Sequence, residues 1–222
     1  MYINKLKLKN QIIIIFILII NNFDVEINIE KKRIGIIGLE HSQNVGNNLL
    51  KYAIYIKLSE LGFSPYIIGK RFKNHNISFI TSAVNMRLIR NFSEIKEKDF
   101  DILMVNSDQT WRKYNSDFYD IAFLKFAENW NIQKFVYGAS LGYNEWKFND
   151  EDEKLSRHLL SNFTGISFRE KSSVKLVEKH LGFKSKFVLD PTLLINKKYY
   201  LNLINNYKSK LFHQLNNTLN YI

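Results

Sequence analysis

The stretch Asp101–Trp111, which reads Asp-Ile-Leu-Met-Val-Asn-Ser-Asp-Gln-Thr-Trp, decides the fold class of this chain. Its apolar run, Ile102–Val105, is short and bounded by polar residues, which is typical of a buried parallel strand. Four polar side chains follow directly: Asn106, Ser107, Asp108 and Gln109. Ligands of open α/β sheets bind beyond the carboxyl ends of the strands, so this polar cluster is a candidate site. The same residue types also favour an ordinary turn, and this stretch alone leaves both interpretations open.

The segments on both sides of this stretch alternate between predicted strands and predicted helices. The other predicted strands are Ile34–Leu39, Phe63–Ile68, Lys134–Ala139, Gly165–Phe168 and Lys186–Leu189. The predicted helices are Asn48–Leu61, Ala83–Arg90, Phe118–Glu128, Asp150–Ser161, Ser172–Leu181 and Tyr199–Ile204. This alternation indicates an α/β fold, a Rossmann-like parallel sheet with crossover helices.

The first 31 residues do not share this pattern, and three interpretations of them remain open. Three lysines precede nine consecutive apolar residues, Ile12–Ile20. A helix needs about 20 apolar residues to span a bilayer, so this run is too short. The basic-then-apolar order resembles a signal peptide, but no small-residue cleavage site follows. The segment is therefore a signal-like or weak membrane anchor, an added β-strand, or upstream sequence that adds nothing to the fold.

These patterns predict three parts: an N-terminal extension over residues 1–31, a Rossmann-like lobe over 32–195, and a C-terminal part over 196–222. The last part turns helical and then rich in Lys and Asn, without a closing strand. We therefore expect it to be a tail or the start of a missing second lobe.

Composition excludes several classes of site. The chain has no cysteine, which rules out disulfides and thiolate metal sites. Its five histidines lack metal-ligand spacing, so no metal site is expected. The formal net charge is +11, but the basic excess lies mainly in residues 1–33 and 171–222, without a recognition motif. Nucleic acid is therefore not an expected partner.

A polar loop before the first predicted helix is a second candidate site. It contains Asn44, Gly46 and Asn47, and it joins a strand to a helix N-terminus. Free backbone N–H groups and the helix dipole favour an anion there. The spacing is neither Gly-x-Gly-x-x-Gly nor a P-loop, so neither dinucleotide nor ATP binding is predicted. A capped βα connection is an equally good interpretation.

Five stretches between about Ile34 and Leu194 carry a family resemblance in order. They are Asn44–Leu49 with Tyr52-Ala53, Ser107–Gln109 with Trp111, Tyr137–Gly142, Ile166–Glu170 and Asp190–Leu194. Together they resemble the motifs of the polysaccharide pyruvyl transferase family. One position departs from the pattern: the family's glycine before the Ser-Asp-Gln motif is Asn106 here, so a position suited to close backbone approach carries a side chain.

The resemblance implies one lobe of a glycosyltransferase-B-like architecture. It also implies transfer of a pyruvyl group from phosphoenolpyruvate to a sugar hydroxyl during synthesis of bacterial cell-surface exopolysaccharide. The partners would be phosphoenolpyruvate and a glycan acceptor, with no cofactor and no metal. The reaction would take place in the cytoplasm or at the inner face of the membrane, with weak membrane association through residues 1–31.

The resemblance also leaves two alternatives open. The family's second lobe, with its basic and histidine donor-binding residues, lies beyond residue 222. A truncated, non-catalytic fragment or interaction module is therefore one alternative. A sugar-nucleotide-dependent glycosyltransferase, which shares the architecture, is the other.

Asp108 and Arg169 are the candidate catalytic residues. The reaction needs an acid to protonate the enol carbon and a base for the attacking hydroxyl, and Asp108 suits acid–base or acceptor-positioning work. Arg169 suits a bidentate clamp on a phosphate or carboxylate, or an ion pair with Glu170 or Asp190 that holds strand ends together. The candidate substrate-binding residues are Asn44, Gly46, Asn47, Ser107, Gln109 and Ser140. We expect Asp190 to be architectural, since Pro191 keeps it out of the helical region.

Overall fold

Within the residues that the structure describes, seven parallel strands form one sheet in the order β3-β2-β1-β4-β5-β6-β7. The computed structural model describes residues 32–39, 44–70, 80, 82–106, 108–113 and 117–219, with side chains described up to residue 208. The strands are β1 Arg33–Ile37, β2 Ser64–Lys70, β3 Met86–Ile89, β4 Ile102–Val105, β5 Gln133–Ala139, β6 Gly165–Phe168 and β7 Lys186–Phe187. Strand order reverses between β1 and β4, as in a doubly wound sheet. The predicted Rossmann-like α/β fold is confirmed.

Five α-helices accompany the sheet in the described part of the chain. They are α1 Val45–Glu60, α2 Phe118–Phe123, α3 Asp150–Leu160, α4 Lys171–Leu181 and α5 Lys197–Leu219. Helix α1 begins three residues earlier than predicted, because the Asn44 side chain accepts a hydrogen bond from the Asn47 N–H at 3.1 Å and caps the helix. Helix α5 is much longer than its apolar pattern indicates.

The prediction of a helix over Ala83–Arg90 is wrong. Met86–Ile89 instead forms β3, which pairs with β2 at the sheet edge, Ile67 opposite Met86 and Lys70 opposite Ile89. Of its four side chains only Ile89 is buried, so the strand shows little of the alternation that identifies strands in sequence. Pairing with β2 decides its conformation.

The helix predicted over Phe118–Glu128 is interrupted. Helix α2 ends at Phe123, and Leu124 adopts a left-handed conformation with φ of 52°. A 3₁₀ turn over Lys125–Ala127 follows. The Leu124 side chain is completely buried, so core packing holds a backbone conformation that a non-glycine residue rarely adopts.

Trp111 anchors the loop after β4 to the core. Its side chain is fully buried, with ring centroids 4.6 Å from Phe123 and 4.9 Å from Phe168. The contact with Phe168 is edge-on, an arrangement that aromatic pairs prefer. Because Phe168 ends β6, this packing fixes the polar residues before Trp111 relative to the carboxyl end of a second strand.

Some predictions remain without a test. The interpretations of residues 1–31 lie outside the described residues. The division at residues 31 and 195 stays a prediction. Within the described part of the chain, no helix combines the length and the apolar character that crossing a membrane requires.

Candidate active site

The chain turns sharply where β4 ends. Asp108 has φ of 81°, in the left-handed region, which Asp adopts more readily than most residues. It forms an isolated parallel bridge with Ala139, and its carbonyl accepts hydrogen bonds from the N–H groups of Thr110 at 2.7 Å and Ser140 at 2.8 Å. These backbone bonds fix Asp108 at the carboxyl end of β5, directly after β4.

The Arg169 guanidinium binds three carboxylates. Its Nη2 lies 3.2 Å from Asp108 Oδ1, its Nη1 3.0 Å from Asp190 Oδ2 and its Nε 3.1 Å from Glu170 Oε1. Burial would lower the pKa of Arg169, but the hydrogen bond to Asp190 and the three neighbouring negative charges raise it above its usual value. The arginine therefore stays charged. The ion pair considered as an alternative for Arg169 is present, and Asp108 joins it as a third acidic partner.

Asp190 is held rigidly for its part in this cluster. Its Oδ1 accepts hydrogen bonds from the N–H of Thr192 at 3.0 Å and from the Thr192 hydroxyl at 2.6 Å. Its φ of −57° and ψ of 135° are not helical, and Pro191 opens a 3₁₀ turn directly after it. The expectation that Asp190 lies outside the helical region is confirmed.

Ser140 belongs to the scaffold of the site. It is 4% exposed, and its hydroxyl accepts a hydrogen bond from the Gly142 N–H at 3.0 Å. Its carbonyl accepts from the Trp111 N–H at 3.1 Å. Ser140 thus joins the end of β5 to the turn after β4 by both of its backbone groups.

Gln109 contacts a cation that sequence patterns did not single out. Its Oε1 accepts a hydrogen bond from Arg112 Nη1 at 3.0 Å, and Arg112 Nε donates to the Tyr143 hydroxyl at 2.9 Å. The guanidinium lies 5.0 Å from the centre of the Tyr143 ring, so three contacts orient it. Arg112 is exposed and carries no acidic partner within the described part of the chain. Its only sequence signal was its place next to Trp111.

Asn44, Gly46 and Asn47 form a second group, at the start of α1. Asn44 caps the helix, and a Cβ on Gly46 would lie 3.1 Å from the Asn44 Oδ1, so glycine leaves room for the cap. Asn47 is 5% exposed. Gly38, which follows β1, lies beside both the β4 end and α1: a Cβ there would lie 3.6 Å from Asn106 Cβ and 3.8 Å from the Cε of Lys51 on α1.

The structure therefore brings the predicted residues together in two neighbouring groups along the carboxyl edge. Asp108, Gln109, Ser140 and Arg169 form the first, and Asn44, Gly46 and Asn47 form the second. Ser107 lies outside the described residues. Among the residues that the structure does describe, no group of three His, Cys, Asp or Glu side chains is arranged to hold a metal ion.

The loop that carries Asp108 and Gln109 is bound to α3 through a buried carboxylate. Asp152 is 6% exposed, and its Oδ1 accepts hydrogen bonds from Lys113 Nζ at 2.6 Å and from the Tyr119 hydroxyl at 2.5 Å. Burial alone would raise the pKa of Asp152, but these hydrogen bonds and the Lys113 charge lower it below its usual value.

We expect Asp152→Asn to lower the free energy of unfolding by about 1–3 kcal/mol at pH 7, since it weakens hydrogen bonds to a charged group. Because the folded-state pKa is depressed, the stabilisation is complete above the unfolded pKa of about 4 and is lost as pH falls through the folded pKa. Urea unfolding of both proteins between pH 7 and pH 3 should show the difference shrinking below about pH 4. Glu145→Gln, which breaks an exposed pair with Lys147, is the control; a pH-independent gap would contradict this role of the Asp152 charge.

The fold and this cluster define the class of protein: a Rossmann-like α/β protein with charged side chains grouped at the carboxyl edge of its parallel sheet. The sequence model of one family, polysaccharide pyruvyl transferase, matches residues 44–221. The chain belongs to the polysaccharide pyruvyl transferase family. No curated protein matches it.

Proposed function

We propose that this protein transfers a pyruvyl group from phosphoenolpyruvate to hydroxyls of a sugar in a surface polysaccharide. The observation that carries the proposal is the position of the Asp108 carboxylate, at the carboxyl ends of the central strands β4 and β5 in a chain that belongs to this family. The reaction takes place in the cytoplasm, where phosphoenolpyruvate is available, with residues 1–31 as the segment that associates weakly with the membrane inner face.

The chemistry defines what the site must supply. Two sugar hydroxyls add to C2 of the enol, a proton joins C3 to make a methyl group, and phosphate leaves with the second hydroxyl proton. The products are a cyclic pyruvyl ketal and inorganic phosphate, so no oxidant or reductant takes part. The attacking hydroxyl needs a base, and the trianionic donor needs cationic or N–H contacts.

Asp108 is the base in this proposal, and Arg169 is a positioning residue. The cluster around Arg169 contains three acidic side chains and one cation, so its formal charge is negative. A negative field repels a trianionic donor but suits a neutral hydroxyl that gives up a proton. Each of the three guanidinium nitrogens of Arg169 already binds a carboxylate. This argues against a phosphate clamp and for a role in orienting Asp108.

Arg112 is the donor contact that fits best within the described part of the site. Its exposed guanidinium is oriented by Gln109 and Tyr143, and no carboxylate of the described residues pairs with it. An arginine held in this way suits the carboxylate or phosphate of phosphoenolpyruvate. Gln109 therefore acts by orienting Arg112. Ser140 fixes the turn after β4. Asn44 and Gly46 form the N-terminal cap of α1.

Calorimetric titration of the full chain with phosphoenolpyruvate tests the donor assignment. We expect saturable binding, weakened about tenfold or more in Arg112→Gln, which removes a charged hydrogen-bonding partner. Arg157→Gln is the matched control, because Arg157 is also exposed and pairs with Glu153 on α3. Equal binding by wild type and Arg112→Gln would remove Arg112 from the donor site. Binding of a nucleotide sugar without phosphoenolpyruvate binding would favour the glycosyltransferase alternative.

A further inference from the structure

Among the described residues, two buried amide groups at the carboxyl edge have no hydrogen-bonding partner. They are the Nδ2 of Asn47 and the Oδ1 of Asn106, in residues that are 5% and 1% exposed. A buried polar atom without a partner costs free energy, and native proteins contain few of them. A ligand bound at this edge would give both atoms a hydrogen-bonding partner.

Asn47 and Asn106 follow adjacent strands, since Ile37 at the end of β1 pairs with Val105 at the end of β4. The Cβ of Asn106 lies 3.6 Å, and the Cε of Lys51 3.8 Å, from the position that a Cβ on Gly38 would occupy. Asn47 precedes Lys51 by four residues on α1, so the two share one face of that helix. Asn47, in the first turn of α1, and Asn106, directly after β4, therefore both lie at the carboxyl edge of this pair of strands.

The two orphaned atoms differ in kind: one donates and the other accepts. A sugar ring offers hydroxyls that do both, so it can accept from Asn47 and donate to Asn106. We propose that Asn47 and Asn106 form the subsite that holds the hydroxyls of the acceptor sugar. This inference rests on the proposed function and deepens it, since it assigns the acceptor to named residues.

A neutral hydroxyl fits this pair better than an anion does. The Asn106 Oδ1 carries a partial negative charge and can only accept, so it opposes a phosphate or carboxylate oxygen. Asn106 also lies two residues before Asp108, so the subsite and the proposed base belong to the same segment after β4. The side chain that stands in place of the family's glycine at position 106 thus has a function: its Oδ1 accepts a hydrogen bond from a sugar hydroxyl.

Saturation-transfer NMR on the full chain tests the subsite with three probes: the methyl glycosides of β-galactose, α-mannose and β-glucose. We expect saturation transfer to at least one glycoside, and about a tenfold or greater loss of affinity in Asn106→Leu and in Asn47→Leu. Leucine is close in size and needs no hydrogen bond, so Tm should stay the same or rise by about 2–4 °C. Ser156→Ala is the matched control, because it removes an orphaned buried hydroxyl from α3, away from this edge.

Three results would overturn the subsite. The first is no saturation transfer from wild type to any of the glycosides. The second is a lower Tm in the leucine variants with glycoside binding unchanged, which would make the amides structural. The third is loss of phosphoenolpyruvate binding with glycoside binding kept, which would make this a donor subsite. Glycoside binding that depends on Asn106, in a protein that does not bind phosphoenolpyruvate, would instead support the subsite and refute the proposed donor.

Discussion

Asp108→Asn is expected to lower kcat for phosphate release from phosphoenolpyruvate by at least about 100-fold, the usual minimum for loss of a general base. Asparagine keeps an oxygen that accepts from Arg169 Nη2, and it adopts the left-handed conformation that φ of 81° demands. The fold is therefore retained while the carboxylate that accepts the proton is lost. Phosphate release, measured with an acceptor glycan present, reports the rate, and thermal unfolding reports the fold.

Asp101→Asn is the matched control for this variant. Asp101 lies just before the amino end of β4 and pairs with Arg33 at 3.3 Å, so it is an arginine-bound aspartate at the opposite edge of the sheet. We expect its kcat to be unchanged. A wild-type rate in Asp108→Asn, or equal losses in both variants, would contradict the assignment of Asp108 as the base.

Arg169→Met is expected to lower the free energy of unfolding by about 2–4 kcal/mol and to abolish turnover. Removing the guanidinium leaves the carboxylates of Asp108, Glu170 and Asp190 close together without a cation. Breaking a buried ion pair from one side costs about 3–5 kcal/mol, and the value for Arg169 is smaller because the cluster is partly open to water. Urea unfolding measures this loss directly.

A second substitution distinguishes electrostatics from packing in this cluster. Asp190→Asn removes one of the three negative charges, so adding it to Arg169→Met should recover part of the lost stability. Arg157→Met is the control, since an exposed pair four residues apart on a helix contributes only about 0.3–0.5 kcal/mol. Strict additivity of the two substitutions would show that the three carboxylates do not repel one another, and would leave packing as the role of Arg169.

The part of the site on β4 was predictable because one sequence stretch contains all of its signals. An apolar run that changes abruptly to polar residues identifies both a strand and its carboxyl end, and Trp111 adds a core anchor. An ion pair of Arg169 with Glu170 or Asp190 was one of the two alternatives that the sequence left open for this arginine, and the structure contains both pairs.

The meeting of Asp108 with Arg169 could not be predicted in the same way. The two residues are 61 positions apart, and they meet because β5 lies between β4 and β6 and because Asp108 adopts a left-handed turn. Strand order and a single positive φ are set by tertiary packing, which periodicity does not report. The edge strand β3 was missed for the related reason that its pairing, rather than its pattern, determines it.

The sequence indicated the two buried amides as polar residues but not their lack of a partner. Asn106 was noted in the polar cluster after β4 and as a departure from a family motif, and Asn47 as a candidate binding residue, but an unsatisfied buried amide cannot be recognised until its surroundings are known. Arg112 was passed over because a surface arginine usually has no specific role. Its contacts with Gln109 and Tyr143 distinguish it from the other basic residues of a strongly basic chain.

The central claim, pyruvyl transfer to a sugar, is tested most directly by supplying both substrates. Surface polysaccharide from cells that lack the gene is incubated with the full chain and phosphoenolpyruvate, and the product is analysed by proton NMR. We expect a new ketal methyl signal and equimolar phosphate, both absent with Asp108→Asn. A polysaccharide that remains unchanged while phosphoenolpyruvate is intact, in the presence of folded wild-type protein, would contradict pyruvyl transfer by this chain.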